Sequence, residues 1–524
     1  MKTDFLLALK EVDNFTFTEN GAIALKSTGN AVLDAFGSLG AMKDSSIEDI
    51  LNIFYKAFYE NKELALRLLF YIRDIRGGQG MRRVFRIIVR SLANNHPEYI
   101  IANLDNFLFF GRGDDVLCLL DTPVEDEVYK WVTKVLIEDM NAVMAGNYPS
   151  MLAKWLPSEN TSSKETKYLA KKMIAGLKVT PKNYRKTLTK LRKKIGIVEQ
   201  LMSANEWDKI NFEKLPAKAS IIYSDAFGKH IEEKYINYIK GLADGTTKAN
   251  SASLFPVDIV HKVYNRNPKT KFDVLRDTYL YEAMWKALPN YFENRIDTGL
   301  CVVDTSGSMD GTPLEVAISL GMYCADKCKG PFKNHFITFS RHPKLQEIKG
   351  NNIIEKINNI SEADWGMNTN LEAVFDLILK TAISHKLAQE DLPNKLYIIS
   401  DMQFDEARDA YDKNYTPFMQ TMKEKFIEAG YTMPAIIYWN VRASECGMFQ
   451  QKFEDEDCCM VSGYSASLFK SIIEGTEYIE DTVVDEKGNK VKITKQKLEP
   501  IKVMTTTLMN ERYDRVVVDA ELYL

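Results

Sequence analysis

Four short apolar runs in the second half of the chain, at residues 299–304, 335–339, 396–400 and 435–439, constrain the fold more than any other feature. Each is five or six residues long, and helical patterns stand between them at 313–328, 371–385 and 418–429. A run that is apolar almost throughout, rather than at alternate positions, belongs to a strand buried on both faces. Such strands alternating with helices predict a largely parallel sheet covered on both sides. Ligands in folds of this kind sit beyond the carboxyl ends of the strands, where the strand order reverses. Asp304 closes the first run and Asp401 directly follows the third, so both fall where a ligand site belongs.

Asp304-Thr305-Ser306-Gly307-Ser308 places three oxygen-bearing side chains at alternate positions just past a strand. Gly307 permits the tight turn that brings both serine hydroxyls to one point. A second loop, Gly366-Met367-Asn368-Thr369-Asn370, supplies a hydroxyl immediately before a helix, and a third, Ser400-Asp401, follows the Leu-Tyr-Ile-Ile of the third run. Magnesium is a hard cation that prefers six oxygens and keeps some waters, and these are donors of that type. Asp304 and Ser306 as plain helix caps would be the simpler account, but capping leaves Thr369 and Asp401 unexplained.

Asp304, Ser306, Ser308, Thr369 and Asp401 resemble the metal-ion-dependent adhesion site of von Willebrand factor A (vWA) domains, whose pattern is DxSxS, then Thr, then Asp. The resemblance implies a doubly wound, Rossmann-like domain over residues 295–524 that holds Mg2+ or another divalent cation such as Mn2+. An open coordination position would accept an oxygen from a protein partner. This is docking chemistry, with nothing to activate water or a nucleophile. No catalytic residue is assigned, and the chain is not expected to be an enzyme.

The first half reads as helix after helix. Ile47, Ile50, Leu51, Phe54, Ala57 and Phe58 recur at three- and four-residue steps, the mark of one buried helical face. Glu60-Asn61-Lys62 interrupts the pattern, and Leu64, Leu68, Leu69 and Ile72 resume it, which predicts a helical hairpin. Further helical stretches stand at 84–92, 128–140, 164–175 and 184–202. No strict period appears, but stacked HEAT-like pairs tolerate weak repeats. The expected class is α + α/β, with an α-solenoid over residues 1–290. A charged insertion near 478–500 predicts an exposed hairpin turning at Lys487-Gly488-Asn489, and 515–519 reads as a last strand.

Several phrases in this half resemble the TROVE module of the Ro autoantigen family and related Ro-like proteins. They are Thr18-Glu-Asn-Gly-Ala22, Thr28-Gly-Asn-Ala31, Leu33-Asp-Ala-Phe36, Arg73-Asp-Ile-Arg-Gly-Gly-Gln-Gly80 with Arg82-Arg83, Gly111-Arg-Gly-Asp-Asp115 and Ser203-Ala-Asn-Glu-Trp207. The likeness covers most of residues 15–230 and precedes the vWA-like part in the same order as in Ro. It implies a ring of HEAT-like helices that binds single-stranded ends of structured or misfolded RNA, and small non-coding RNA on its outer face.

Charge offers an independent pointer to RNA. Residues 164–194 hold twelve Lys or Arg against one acidic residue, Glu165, with Tyr168 and Tyr184 among them. Lys171, Lys172, Lys182, Arg185, Lys186, Lys190, Arg192 and Lys193 could track phosphates while the tyrosines stack on bases. The alternative is a solvated basic helix face. Arg73, Arg76, Arg82 and Arg83 form a second cluster around a glycine-rich turn whose amides could approach phosphate. Alternatively, these arginines pair with Asp74, Asp114 or Asp115 to lock adjacent helices.

The net charge is only −4, so nucleic-acid binding needs a local basic face rather than the charge of the whole chain. Seven sparse cysteines fit reduced thiols, and Cys324, Cys328, Cys458 and Cys459 lack the spacing of a zinc site. The first ten residues have no long apolar core, and no apolar stretch reaches about 18 residues. A cytoplasmic protein without membrane contact is expected. Trp365, just before the Thr369 loop, is a packing residue or flanks a partner's path. The competing function is a protein–protein scaffold or assembly adaptor that uses the metal site without RNA.

Overall fold

In a computed structural model, which describes residues 13–249, 254–293, 298–339, 343–361, 369–405, 418–443, 447–484 and 490–520, the chain opens with a short hairpin. Its strands are Phe15–Phe17 (β1) and Ile23–Leu25 (β2). Among the helices that follow are Ala31–Ser38 (α1), Ile47–Glu60 (α2), Lys62–Arg73 (α3), Arg82–Asn95 (α4), Glu125–Met144 (α5), Lys164–Gly176 (α6), Pro181–Ile195 (α7) and Val198–Ser203 (α8). Strands and helices then alternate: Leu300–Val303 (β3), Thr312–Lys327 (α9), His335–Thr338 (β4), Leu345–Glu347 (β5), Leu371–His385 (α10), Lys395–Ser400 (β6), Phe418–Glu428 (α11), Ala435–Asn440 (β7) and Cys458–Ser462 (β8). Ser467–Gly475 (α12), the hairpin Thr476–Val484 (β9) with Lys490–Leu498 (β10), and Pro500–Leu508 (α13) complete the series.

Two compact units form, and each is discontinuous in sequence. One joins Met1–Ala65 to Leu254–Asn510, and the other joins Leu66–Ser253 to Glu511–Leu524. The sequence pattern alone, with helices over 1–290 and alternating strands and helices over 295–524, implies a single linear boundary instead. No helix among the described residues is long and apolar enough to cross a membrane.

The first unit is built on a six-stranded sheet in the order β5-β4-β3-β6-β7-β8. All neighbours are parallel except β4 and β5. Every residue of β3, β6, β7 and β8 is buried, as strands covered on both faces require. The four apolar runs expected to be strands are β3, β4, β6 and β7. The chain leaves β3 for β4 on one side and later returns to β6 on the other, so the order reverses between β3 and β6. Asp304 and Asp401 stand just beyond those two adjacent carboxyl ends.

The amino-terminal hairpin belongs to this unit. Leu25 exchanges backbone hydrogen bonds with Phe449 (2.8 and 3.0 Å). Asn30 caps α1 by accepting from the Leu33 amide at 2.8 Å. Buried Asp34 accepts from the hydroxyls of Ser27 and Thr28, each at 2.6 Å, and from the Thr28 amide at 2.8 Å. The phrases Thr28-Gly-Asn-Ala31 and Leu33-Asp-Ala-Phe36 thus form one local brace.

The second unit is helical. Its interior gathers Phe70, Phe85, Phe107, Phe110 and Tyr513, with ring centroids 5.3–5.8 Å apart for the closest pairs. Two sequence phrases clasp each other here: Arg73 meets Asp115 at 2.7 Å, Arg86 bridges Asp115 and Asp114, and Arg112 holds Asp114 while lying 3.7 Å over the Trp155 ring. Residues 515–519 are not a strand. The segment 511–520 lies along the helices, with Arg512 paired to buried Asp74 and Arg515 bonded to Asn106 at 2.6 Å. The stretch 184–202 is two helices, because Gly196 takes a left-handed conformation (φ 76°) that ends α7.

The expected hairpin near 478–500 is β9–β10, paired antiparallel from Thr476 opposite Leu498 to Val484 opposite Lys490. Its turn residues lie outside the described residues, as does Trp365. Cys324, Cys328, Cys458 and Cys459 are all buried, and Cys458 and Cys459 are free thiols.

Candidate metal centre and basic face

Asp304 emerges from β3 into a fully buried position. Its Oδ1 accepts from the Ser306 amide at 2.9 Å and its Oδ2 from the Ser400 hydroxyl, which ties the β3 end to the β6 end. The Ser306 and Ser308 hydroxyls stand 3.1 Å apart, as the Asp-x-Ser-x-Ser spacing suggests. Arg442 donates to the Ser308 carbonyl and braces the loop from outside. Asp401 is also buried and accepts from the Gln403 amide at 3.2 Å. Burial first, and then the Asp401 carboxylate, push the Asp304 carboxyl up to about 6.

Thr369 is 1% exposed, and its amide and hydroxyl both bond Asp405 at 3.0 Å. The hydroxyl also donates toward the Gln403 carbonyl at 2.9 Å. Thr369 is therefore held by the loop after Asp401, and its hydrogen bonds do not reach the serine pair. The turn between β1 and β2 also meets this loop. The Thr18 hydroxyl donates to the Phe404 carbonyl at 2.7 Å, and the Glu19 amide to Gln403 Oε1 at 2.7 Å.

The donor set suits a hard divalent cation: two buried carboxylates close enough to repel, with hydroxyls beside them. Among the described residues no three His, Cys, Asp or Glu side chains gather into a metal-binding group, so a cation here would rest largely on hydroxyls. Ser400, Gln403, Asp405 and Asn20 were not singled out from sequence. A second carboxylate four residues after Asp401 was the one available signal for Asp405.

The basic candidates divide sharply. In α7, Thr180 caps the first turn, Pro181 opens it, and Arg192, Lys193 and Lys194 face the negative end of the helix dipole. Tyr184, Leu188 and Leu191 are buried on one face, which leaves Lys182, Lys186, Lys190 and Lys193 as an exposed stripe on another. Among the described residues none of these four lysines has an ion-pair partner. Lys171 on α6 is likewise exposed.

Others on the list are committed internally. Lys172 pairs with Asp121 and Glu125, and Arg185 with Glu159 at 2.9 Å. Arg192 donates to the carbonyls of Ala153 and Leu156 at 2.8 and 2.7 Å, and Tyr184 is buried with its hydroxyl on the Pro157 carbonyl. Tyr168 remains 53% exposed.

Arg73 is 2% exposed and pairs with Asp115, which removes it from any RNA surface. Arg76, Arg82 and Arg83 are exposed. The amides of Gly78, Gln79 and Gly80 all bond backbone carbonyls of Tyr71 and Asp74, so they do not present a phosphate cradle. Gly78 is required for packing instead, because a Cβ there would stand 2.0 Å from the Tyr71 carbonyl oxygen.

A helical unit joined to a mostly parallel sheet with an oxygen-rich loop site defines the class of protein. Residues 298–508 match the family described as Domain of unknown function (DUF7788), and residues 18–115 and 147–291 match Domain of unknown function (DUF2828). The chain is 30% identical over 503 residues to "Uncharacterized protein L728" of Acanthamoeba polyphaga mimivirus, covering 89% of this chain and 86% of that protein. The chain belongs to the family of that viral protein.

Proposed function

We propose that the chain is a Ro-like ribonucleoprotein component. Its α/β unit is a vWA-type module that docks a protein partner through Mg2+ or Mn2+. Its helical unit, an irregular solenoid, binds structured or single-stranded-ended non-coding RNA. The observation that carries the reading is the placement of Asp304 and Asp401 just beyond the adjacent ends of β3 and β6, with the Ser306–Ser308 hydroxyl pair following Asp304, at the reversal of strand order. Asp304, Ser306, Ser308, Asp401 and Thr369 would hold the cation, which when bound supplies a positive centre for a partner's carboxylate. The RNA half is supported by the exposed stripe of Lys182, Lys186, Lys190 and Lys193, spaced to follow a phosphate backbone.

The test has two arms. Mg2+ should raise the melting temperature of the full chain and leave Asp304→Ala unmoved, because a ligand of the folded state stabilises by about 2.7 kcal/mol at a hundredfold excess over Kd. Structured RNA with a single-stranded 3′ tail should be retarded at low salt and released as salt rises. Equal Mg2+ shifts in both proteins would sink the docking half, and no retardation across several RNAs would sink the RNA half.

A scaffold that uses the metal site without RNA is the second reading. It is favoured by the internal pairing of Lys172, Arg185 and Arg73. Magnesium-dependent protein complexes from preparations free of nucleic acid would select it.

A further inference from the structure

The β1–β2 turn carries a side chain whose commitments exceed what the turn needs. Three contacts already hold the turn in place: Thr18 to the Phe404 carbonyl at 2.7 Å, the Glu19 amide to Gln403 Oε1 at 2.7 Å, and a backbone bridge between Gly21 and Asp405. Asn20, although exposed, also directs its amide group at two acceptors, the Gln403 carbonyl at 2.8 Å and the Thr369 hydroxyl at 3.3 Å.

A threonine hydroxyl has one proton and two acceptor lone pairs. The Thr369 proton is directed to the Gln403 carbonyl or to Asp405 Oδ1. Asn20 takes one lone pair, so one is left. A hydroxyl that ligates a cation must offer a lone pair while its proton points elsewhere. Asn20 and Asp405 together set that orientation, as outer partners commonly do for metal ligands.

We propose that Asn20 is a positioning residue of the metal centre, and that docking of the 18–21 turn is coupled to divalent-cation binding. This rests on the metal-centre reading above. Coupling between two such events is reciprocal, so a bound cation also tightens the hold on the turn. A segment 349 residues upstream of Thr369 thereby becomes part of the centre.

The experiment is a Mn2+ titration of the full chain followed by electron paramagnetic resonance, for the wild type, Asn20→Ala, Asn20→Ser and Asp304→Ala. Hydrogen exchange of residues 15–25 is measured with and without Mg2+. Both Asn20 variants should bind Mn2+ about tenfold more weakly or worse, with melting temperatures close to wild type without metal. Mg2+ should slow exchange in the turn of the wild type but not of Asp304→Ala. If wild type takes up no Mn2+, the metal-centre reading fails and this inference with it. If wild type binds and the Asn20 variants bind equally well, only the inference falls. A lowered melting temperature with unchanged Mn2+ affinity would assign Asn20 a purely structural part, and that also overturns it.

Discussion

Arg73 and Asp115 meet at 2.7 Å inside the helical unit, with side chains 2% and 0% exposed. Burial pulls the Arg73 guanidinium below its usual range, against the opposing pull of Asp115. Removing one partner of a buried pair leaves an uncompensated charge. Asp115→Ala strands the buried Arg73 and leaves Arg86 with Asp114 alone, and should cost about 3–5 kcal/mol. Arg73→Met leaves Asp115 with Arg86 and the Arg112 amide, so its cost should be smaller, about 1–3 kcal/mol. Urea unfolding followed by circular dichroism ranks them, and an Asp115→Ala midpoint equal to wild type would refute the assignment.

The neighbouring carboxylate predicts the response to acid. Burial alone would raise the Asp114 carboxyl, but Arg112 and Arg86 outweigh it and hold it below the ordinary value of 3.8. A carboxyl depressed in the folded state contributes stability that is complete above 3.8 and is lost as pH falls through the depressed value. Wild type should therefore lose stability below pH ~4 faster than Asp114→Asn. Parallel acid-denaturation curves for the two proteins would contradict this.

Arg512 closes over Asp74, which is fully buried and also receives the Tyr513 hydroxyl at 3.2 Å. Arg512→Ala leaves that carboxylate with fewer donors and should destabilise by about 1–3 kcal/mol. The loss should appear in the helical unit and leave Mn2+ affinity unchanged. Hydrogen exchange resolved by peptide separates the two, and faster exchange spread equally over both units would speak against it.

The lysine stripe predicts a change in salt dependence more than in fold. Lys182, Lys186, Lys190 and Lys193 touch no carboxylate among the described residues, so replacing all four by Gln should leave the melting temperature nearly unmoved. If the stripe binds RNA, the slope of log affinity against log salt should shrink by roughly 3, from about 0.7 per phosphate contact on a single strand. Lys172→Gln is the contrasting variant, since Lys172 is spent on Asp121 and Glu125. An unaltered slope in the fourfold variant would remove the stripe from the interface.

What could be read in advance follows from how far each signal reaches along the chain. β3, β4, β6 and β7 announce themselves because each is apolar almost throughout. β5 is a three-residue edge, Leu345-Gln346-Glu347, too short and too polar to show a period. The adjacent cysteines of β8 drew attention as thiols rather than as a strand. Asp304, Ser306, Ser308 and Asp401 could be placed because their spacing from strand ends is local. Asn20 could not, since its partner Thr369 lies 349 residues away. Arg73 was ambiguous for a different reason. A guanidinium has the same sequence signature whether it faces phosphate or carboxylate, and only the Asp115 contact, 42 residues on, decides.

The interleaving of the two units has a consequence for synthesis. Glu19 must find Gln403, 384 residues later. At translation rates of about 5–20 residues per second the amino-terminal turn waits about 20–80 s for its counterpart to emerge from the ribosome. During that interval β2, whose Leu25 will pair with Phe449, is an unmatched edge. Nascent chains of this protein should therefore engage a holding chaperone through their first 65 residues, and they should release it only after β7 and β8 have been made.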